Sequence, residues 1–179
     1  MKLFISVLLL FYASSAGAQT AAFISKEKLY PALKGYSAKQ ASLDTLKVKL
    51  YREVRQEEQG LQKKYQAIIN PYAPGQNETL EELQTRMSKP DTERLKLLQE
   101  EQKLHESRII SYNNQITDQY NRDLKAYVET ANKEIEVYAR KNKIDMVWYL
   151  EDIKMALPYY NNAKNITAVI ADRVNKMFP

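Results

Sequence analysis

Two long stretches of this chain repeat their apolar residues at intervals of three and four. From Ser37 to Asn70 these positions are Leu43, Leu46, Leu50, Val54, Leu61, Tyr65 and Ile68, and the rest is mostly Lys, Arg, Glu and Gln. Such steps return to one narrow stripe of a helix. Ser37 offers an N-cap hydroxyl. Pro71 disfavours helical geometry at Asn70 and ends the helix there. The second stripe runs Leu95, Leu98, Gln102, His105, Ile109, Tyr112, Ile116, Tyr120, Leu124, Tyr127, Ala131, Ile135, Tyr138. Alternating steps of three and four make a coiled-coil seam and predict one helix over 91–143, about 80 Å long at ~1.5 Å per residue. A stripe this narrow buries against one partner helix, so the two helices are expected to pair as an antiparallel hairpin.

The chain's two ends read differently. Ala22–Ser25 and Ile144–Leu150 are short apolar runs that predict strands. Met155–Tyr159 predicts a further strand, with Glu151–Lys154 as the turn and Pro158 at an edge. Asn165 is placed to cap a last helix over 166–177, with the stripe Ile166, Val169, Ile170, Val174 and Met177. The predicted fold is therefore mostly α with a small β part. A long antiparallel coiled-coil hairpin (37–143) projects from a small α/β oligomerisation body built from 19–36 and 144–179. That body is too small to bury much core alone, which predicts that strands of several copies complete one sheet or barrel.

Between the two stripes lies "NPYAPGQNETLEELQTRMSKPD" (70–91), with three of the six prolines and one of the four glycines. Two reversals fit it, one at 71–77 and one at 88–91, where Ser88 would cap a helix with Pro90 in its first turn. The helix over 37–70 is shorter than the one over 91–143 by roughly 30 Å at ~1.5 Å per residue, which favours 88–91.

Composition narrows the setting. "MKLFISVLLLFYASSAGA" has one cation, Lys2, then the apolar run Leu3–Tyr12 and small residues ending Ala16-Gly17-Ala18. This is the pattern of a secretory signal peptide, with cleavage expected after Ala18 and Gln19 as the new N-terminus. The apolar run is about half of the ~20 residues that a membrane-spanning helix needs. The chain has no cysteine. No disulfide is therefore expected in an exported protein, whose stability must come from packing or association. The formal net charge is +5, and removing 1–18 with its single Lys2 leaves +4. A basic exported protein meets acidic polypeptides, anionic lipid or lipopolysaccharide rather than nucleic acid.

Catalytic chemistry finds few candidates. The one histidine, His105, falls on the seam and is expected to pack there. The pairs Glu57-Glu58, Glu81-Glu82 and Glu100-Glu101 are helix neighbours that do not face each other, so they are expected to be solvated faces. No catalytic, metal or cofactor residue is assigned, and no enzyme activity is expected.

The order of segments resembles the Skp/OmpH family of periplasmic chaperones over nearly the whole mature chain. "AFISKEKLYPALKGYSAKQASLD" is similar to the family's opening strand, helical turn and entry to the first arm. "PGQNETLEE" resembles the segment at the turn of the arm. "YVETANKEIEVYARKNKIDMVWYLEDIKMALPYYNNAKNITAVIADRV" resembles its final helix, strands and Asp-Ile-Thr-like helix start, here Asn165-Ile166-Thr167. The resemblance places the reversal at 71–77 and makes 88–91 a kink. It implies a homotrimer with a β-barrel body and helical arms, which holds unfolded outer-membrane proteins in the periplasm without ATP. Many weak contacts on mobile arms give avidity. Tyr51, Tyr65, Tyr112 and Tyr120 offer apolar area with a polar tip. Lys47, Lys63, Lys64 and Arg108 attract acidic clients. Phe23, Ile24, Val147, Trp148, Leu150, Val169 and Val174 are the expected oligomer core. The other reading open to the sequence is a structural or adaptor protein whose hairpin docks one fixed envelope partner.

Overall fold

In the computed structural model residues 20–157 and 159–178 are described; the expected signal peptide and cleavage site, and Pro158, lie outside them. The chain divides into two units. One comprises Lys39–Asp123, and the other the two chain ends, up to Ala38 and from Leu124 onward.

The unit of the chain ends is built on two parallel strands, β1 (Ala21–Ile24) and β2 (Met146–Tyr149), in the register Ala21↔Met146 to Ile24↔Tyr149. Thr20 fixes that register. Its backbone N–H donates to Asp145 Oδ2 at 2.7 Å and its carbonyl accepts from Asp145 N–H at 2.9 Å. On its other side Phe23 bridges Asn165, and its carbonyl accepts from Ile166 N–H. Side chains alternate across a strand. Ala22 and Ile24 therefore enter the core, while Ala21 and Phe23 face away from it.

Ser25 caps the short helix α1 (Lys26–Leu29) through Lys28 N–H. A turn at Tyr30–Ala32 leads to Gly35, whose φ of +78° suits glycine and turns the chain into the next helix. The unit's core gathers Ala22, Ile24, Leu29 and Leu33 with Tyr127 and Ala131 of α5 (Lys125–Lys141), and with Ile166, Ile170, Ala171 and Val174 of the last helix region. Completely buried residues such as Ile24, Leu29, Ile170 and Val174 each contribute about 1.5–3 kcal/mol of gross hydrophobic stabilisation. Rings of Tyr30, Tyr36, Tyr127 and Phe178 meet in sequence at its edge: Tyr30 stacks on Tyr36, Tyr36 meets Tyr127 edge-on, and Tyr127 stacks on Phe178 at 4.1 Å.

The other unit pairs two long helices, α2 (Tyr36–Ile69, 34 residues) and α4 (Lys89–Asp123, 35 residues). A turn at Asn70–Tyr72 and the short helix α3 (Leu80–Arg86) connect them.

Several expectations are corrected. Tyr36 starts α2, so Ser37 is its second residue and does not cap it. The predicted helix 91–143 breaks at Leu124, a buried residue between α4 and α5, and the stripe Tyr127, Ala131, Ile135, Tyr138 packs into the core of the chain-end unit. The length mismatch between the arm helices vanishes with it. After β2 the chain makes α6 (Leu150–Ile153), and Met155–Leu157 and Tyr159 belong to no strand. The cause is Glu151, which folds back to accept from Ser25 Oγ at 2.7 Å and Lys26 N–H at 3.0 Å. The last helix, α7, is Thr167–Asn175, one residue later than predicted at its start and two shorter at its end. Asn165 still serves that start, because its Oδ1 accepts from Thr167 N–H and Oγ1.

Candidate functional site

Two surfaces are candidates, the hairpin's flanks and the outer face of the two-stranded sheet. The hairpin's register follows from its ties. Gln119 donates to Ser42 at 3.0 Å and Tyr112 OH to Glu53 Oε2 at 2.7 Å. His105 Nδ1 lies 3.1 Å from Glu57 Oε2, Arg108 pairs with the other oxygen of Glu57, and Lys64 meets Glu101 at 2.6 Å. Each pair's numbers sum to nearly the same value, as they must in an antiparallel pair. The midpoint falls within α3.

The reversal is thus neither 71–77 nor 88–91 alone but the whole connection through α3. Leu83 packs there with Ile69 and Leu95. Three polar devices hold the connection. Thr79 and Glu82 form a reciprocal capping box on α3. Arg86 grips Glu78 with two nitrogens, and with Gly75 N–H this keeps the Glu78 carboxyl down at about 2. Tyr72 OH donates to Asp91 at 2.7 Å and accepts from Ser88 N–H at 2.9 Å. The hydroxyls of Tyr72 and Ser88 hold the Asp91 carboxyl below the usual range. Ser88 Oγ also accepts from Asp91 N–H, so the predicted cap at the start of α4 is present.

The middle of the seam is less buried than its ends and is crossed by polar ties. Leu43 and Leu50 are buried towards one end of α2, and Ile69, Leu95 and Leu98 towards the tip. Between them Val54, Leu61, Ile109 and Ile116 are only half-buried, and the hydrogen-bonded ties are those of Glu53, Glu57 and Lys64. Hydrogen bonds from His105 and Arg108 outweigh burial and lower the Glu57 carboxyl. The bond to Glu53 raises the Tyr112 hydroxyl above its ordinary value.

The expected client-binding residues separate accordingly. Tyr51 is 60% exposed, and Lys63, Tyr65 and Tyr120 also reach solvent. Lys64 and Arg108 are exposed but paired. Tyr112 is half-buried against Glu53, and Lys47 is half-buried near Asp44. Sequence reasoning missed Val48, Leu97, Leu104 and Ile110, all more than half exposed. The signal was available: each is a large aliphatic residue off the seam stripe.

In the chain-end unit, Phe23 and Trp148 stand opposite each other on the outer sheet face, with Trp148 44% exposed. With Ala21, Ile153, Ala156 and Leu157 they line a shallow apolar cavity of about 330 Å³. Val169 is also exposed, and Leu150 is half-buried beside a second cavity. Ile24 and Val174 correct the expected set. They have no accessible surface, because the chain's own core encloses them. Val147 likewise packs on that core. Met155 is wholly exposed and Tyr159 largely so, where the sequence predicts strand residues.

Glu151 anchors this region. Burial alone would raise its carboxyl, but hydrogen bonds from Ser25 Oγ and the N–H groups of Lys26, Glu27 and Glu151 itself hold it down at about 2. Lys26 pairs with Asp152 at 2.8 Å and sits 4.3 Å over the Tyr149 ring. Among the described residues no group of three or more His, Asp or Glu is placed to hold a metal ion, and no helix is long and apolar enough to cross a membrane.

The chain is similar in structure to an OmpH-like outer membrane chaperone candidate from Caulobacter crescentus CB15. The likeness covers 92% of this chain and 88% of that one, at 13% identity and a TM-score of 0.49. No curated protein matches the chain. The family model of OmpH-like outer membrane proteins matches residues 20–174, and the chain belongs to that OmpH-like family.

Proposed function

We propose that this protein is a periplasmic, ATP-independent holdase chaperone. It is exported with cleavage after Ala18, and it binds unfolded outer-membrane polypeptides on its helical hairpins to keep them from aggregating. One observation carries the reading. The hairpin keeps Val48, Tyr51, Leu97, Leu104 and Ile110 in water among many charged side chains. Exposed aliphatic side chains beside charge suit weak, repeated contact with unfolded chains, and several such contacts together give avidity. Membership of the OmpH-like family supports the same role.

The protein works as a homo-oligomer, a trimer by the family resemblance. The interface is the outer sheet face of Phe23 and Trp148, with Leu150 and Val169 beside it. A two-stranded sheet is marginal alone and gains from further strands. Anionic lipid or lipopolysaccharide is an additional partner that the positive charge admits.

An aggregation assay with a urea-unfolded outer-membrane barrel tests the reading. Stoichiometric protein is expected to suppress light scattering without ATP, and unchanged scattering would overturn it. Cross-linking in cells is expected to trap many clients. One stoichiometric partner would favour the adaptor reading instead.

A further inference from the structure

The chain has no cysteine and five methionines, of which Met1 lies in the expected leader. With no thiol present, the thioethers of Met87, Met146, Met155 and Met177 are the groups open to reversible oxidation by peroxide. Met87 is half-buried in the hairpin tip against Ile69, Leu83 and Leu95. The other three lie in the chain-end unit and are exposed. Met146 differs from Met155 and Met177 in its surroundings. It begins β2, and the alternation of that strand puts Met146 and Trp148 on the outer sheet face while Val147 and Tyr149 pack on the core. Its neighbour across the sheet is Ala21, whose side chain is a single methyl group, and Met146 stays 37% exposed. The next pair on the same face is Phe23 and Trp148, which with Ala21 wall the apolar cavity there.

We infer that Met146 is a reversible oxidation site that governs self-association. This rests on the reading of the outer sheet face as the interface between copies, and adds how that face is regulated. One oxygen of hydrogen peroxide is transferred to the Met146 sulfur, the thioether gives up two electrons, and the peroxide leaves as water. A methionine sulfoxide reductase with a dithiol as reductant returns the thioether, releasing water and a disulfide. The sulfoxide turns an apolar side chain into a polar one two residues from Trp148. Its oxygen gains no hydrogen bond from the side chains of Ala21 or Phe23, and burying it without a donor opposes association. Assembly in turn covers the sulfur, so Met146 oxidises in unassembled copies. Met155 and Met177 belong to no strand, and their oxidation leaves association unchanged.

The mature protein with dilute hydrogen peroxide as the probe tests this, with oxidised positions read by peptide mass spectrometry and association by native mass spectrometry. In dilute, unassembled protein Met146 should gain oxygen well before Met87. Raising the protein concentration into the assembled range should slow Met146 severalfold relative to Met87, and an unchanged Met146 rate would overturn the inference. Protein oxidised at Met146 should need about tenfold higher concentration to associate, and reductase treatment should restore it. Met146→Leu conserves the volume and should associate as the parent does, with no response to peroxide. Met146→Gln places a polar group of similar length on the face and should associate about tenfold more weakly without any oxidant. Peroxide that weakens Met146→Leu as much as the parent, or a Met146→Gln protein that associates as tightly as the parent, would overturn the inference and leave the interface reading standing. Untreated parent protein that stays monomeric at every concentration would overturn both.

Discussion

Glu151 makes a sharp test of how the chain's two ends are joined. Its carboxylate belongs to α6 but accepts from Ser25 and from the N–H groups of Lys26 and Glu27, more than 120 positions away in sequence. Glu151→Gln keeps the shape and one acceptor and removes the charge. The drop in the carboxyl from 4.5 to about 2 corresponds to about 3 kcal/mol at ~1.36 kcal/mol per unit. Solvent screens a part-exposed carboxylate, which brings the expected cost down to about 1–2 kcal/mol. The sign follows from the direction. A carboxyl that titrates lower when folded stabilises the fold fully above its unfolded value near 4.5, and the stabilisation is lost as pH falls through about 2. Urea unfolding of both proteins, at one fixed concentration, should show the variant weaker by that amount near neutral pH. The two should converge below about pH 2. Other lowered carboxyls, among them Asp145 and Glu78, titrate in both proteins and cancel in the difference. A variant as stable as the parent at neutral pH would refute the reasoning, as would a gap that stays constant down to the lowest pH.

Other outcomes follow from the same structure. Gly35→Ala forces a φ of +78° on a residue with a Cβ, which would meet Tyr127 OH at 3.1 Å; about 1–2 kcal/mol should be lost in thermal unfolding. Glu134 is buried and Arg173 holds its Oε2 with two nitrogens at 2.6 Å, so Arg173→Ala should cost about 2 kcal/mol by the same assay. Gly60→Ala should raise hairpin stability by about 0.5–1 kcal/mol, read as slower amide exchange in α2, because the position is helical with free space around it. Trp148→Glu should leave circular dichroism unchanged and shift native mass spectra towards monomer, since the side chain is exposed on the outer sheet face.

The long helices were legible because a narrow stripe repeats for many turns, and Ser88 and Asn165 act at helix starts, as their side chains suggested. Leu124 shows where the pattern fails. Three-four spacing runs through it unbroken, yet the stripe before it faces a helix and the stripe after it faces a core with strands. Periodicity records that a side is covered, not what covers it. The apolar residues of Met155–Tyr159 alone predict a strand. What bends the preceding residues into α6 is a contact with the other end of the chain, and no local pattern encodes it. Of the candidate surface, the tyrosines were visible as large amphipathic side chains. Leu97 and Leu104 lie off the seam, so the stripe does not mark them, and the same property leaves them exposed. Ile24 and Val174 look like Phe23 and Val169 in composition, and only the direction of each side chain separates core from surface.

The pairing of β1 with β2 also governs the order in which the protein can fold. Thr20 and Asp145 meet across 125 positions. A chain leaving the ribosome or a translocation pore N-terminus first presents β1 long before its partner strand exists. The helical hairpin needs only sequence already emerged and can form while β1 waits with its apolar residues uncovered. Closing the sheet then has a smaller entropic cost, because a folded hairpin has already shortened the loop between the strands. The body is therefore expected to be the last part to fold and the rate-limiting one.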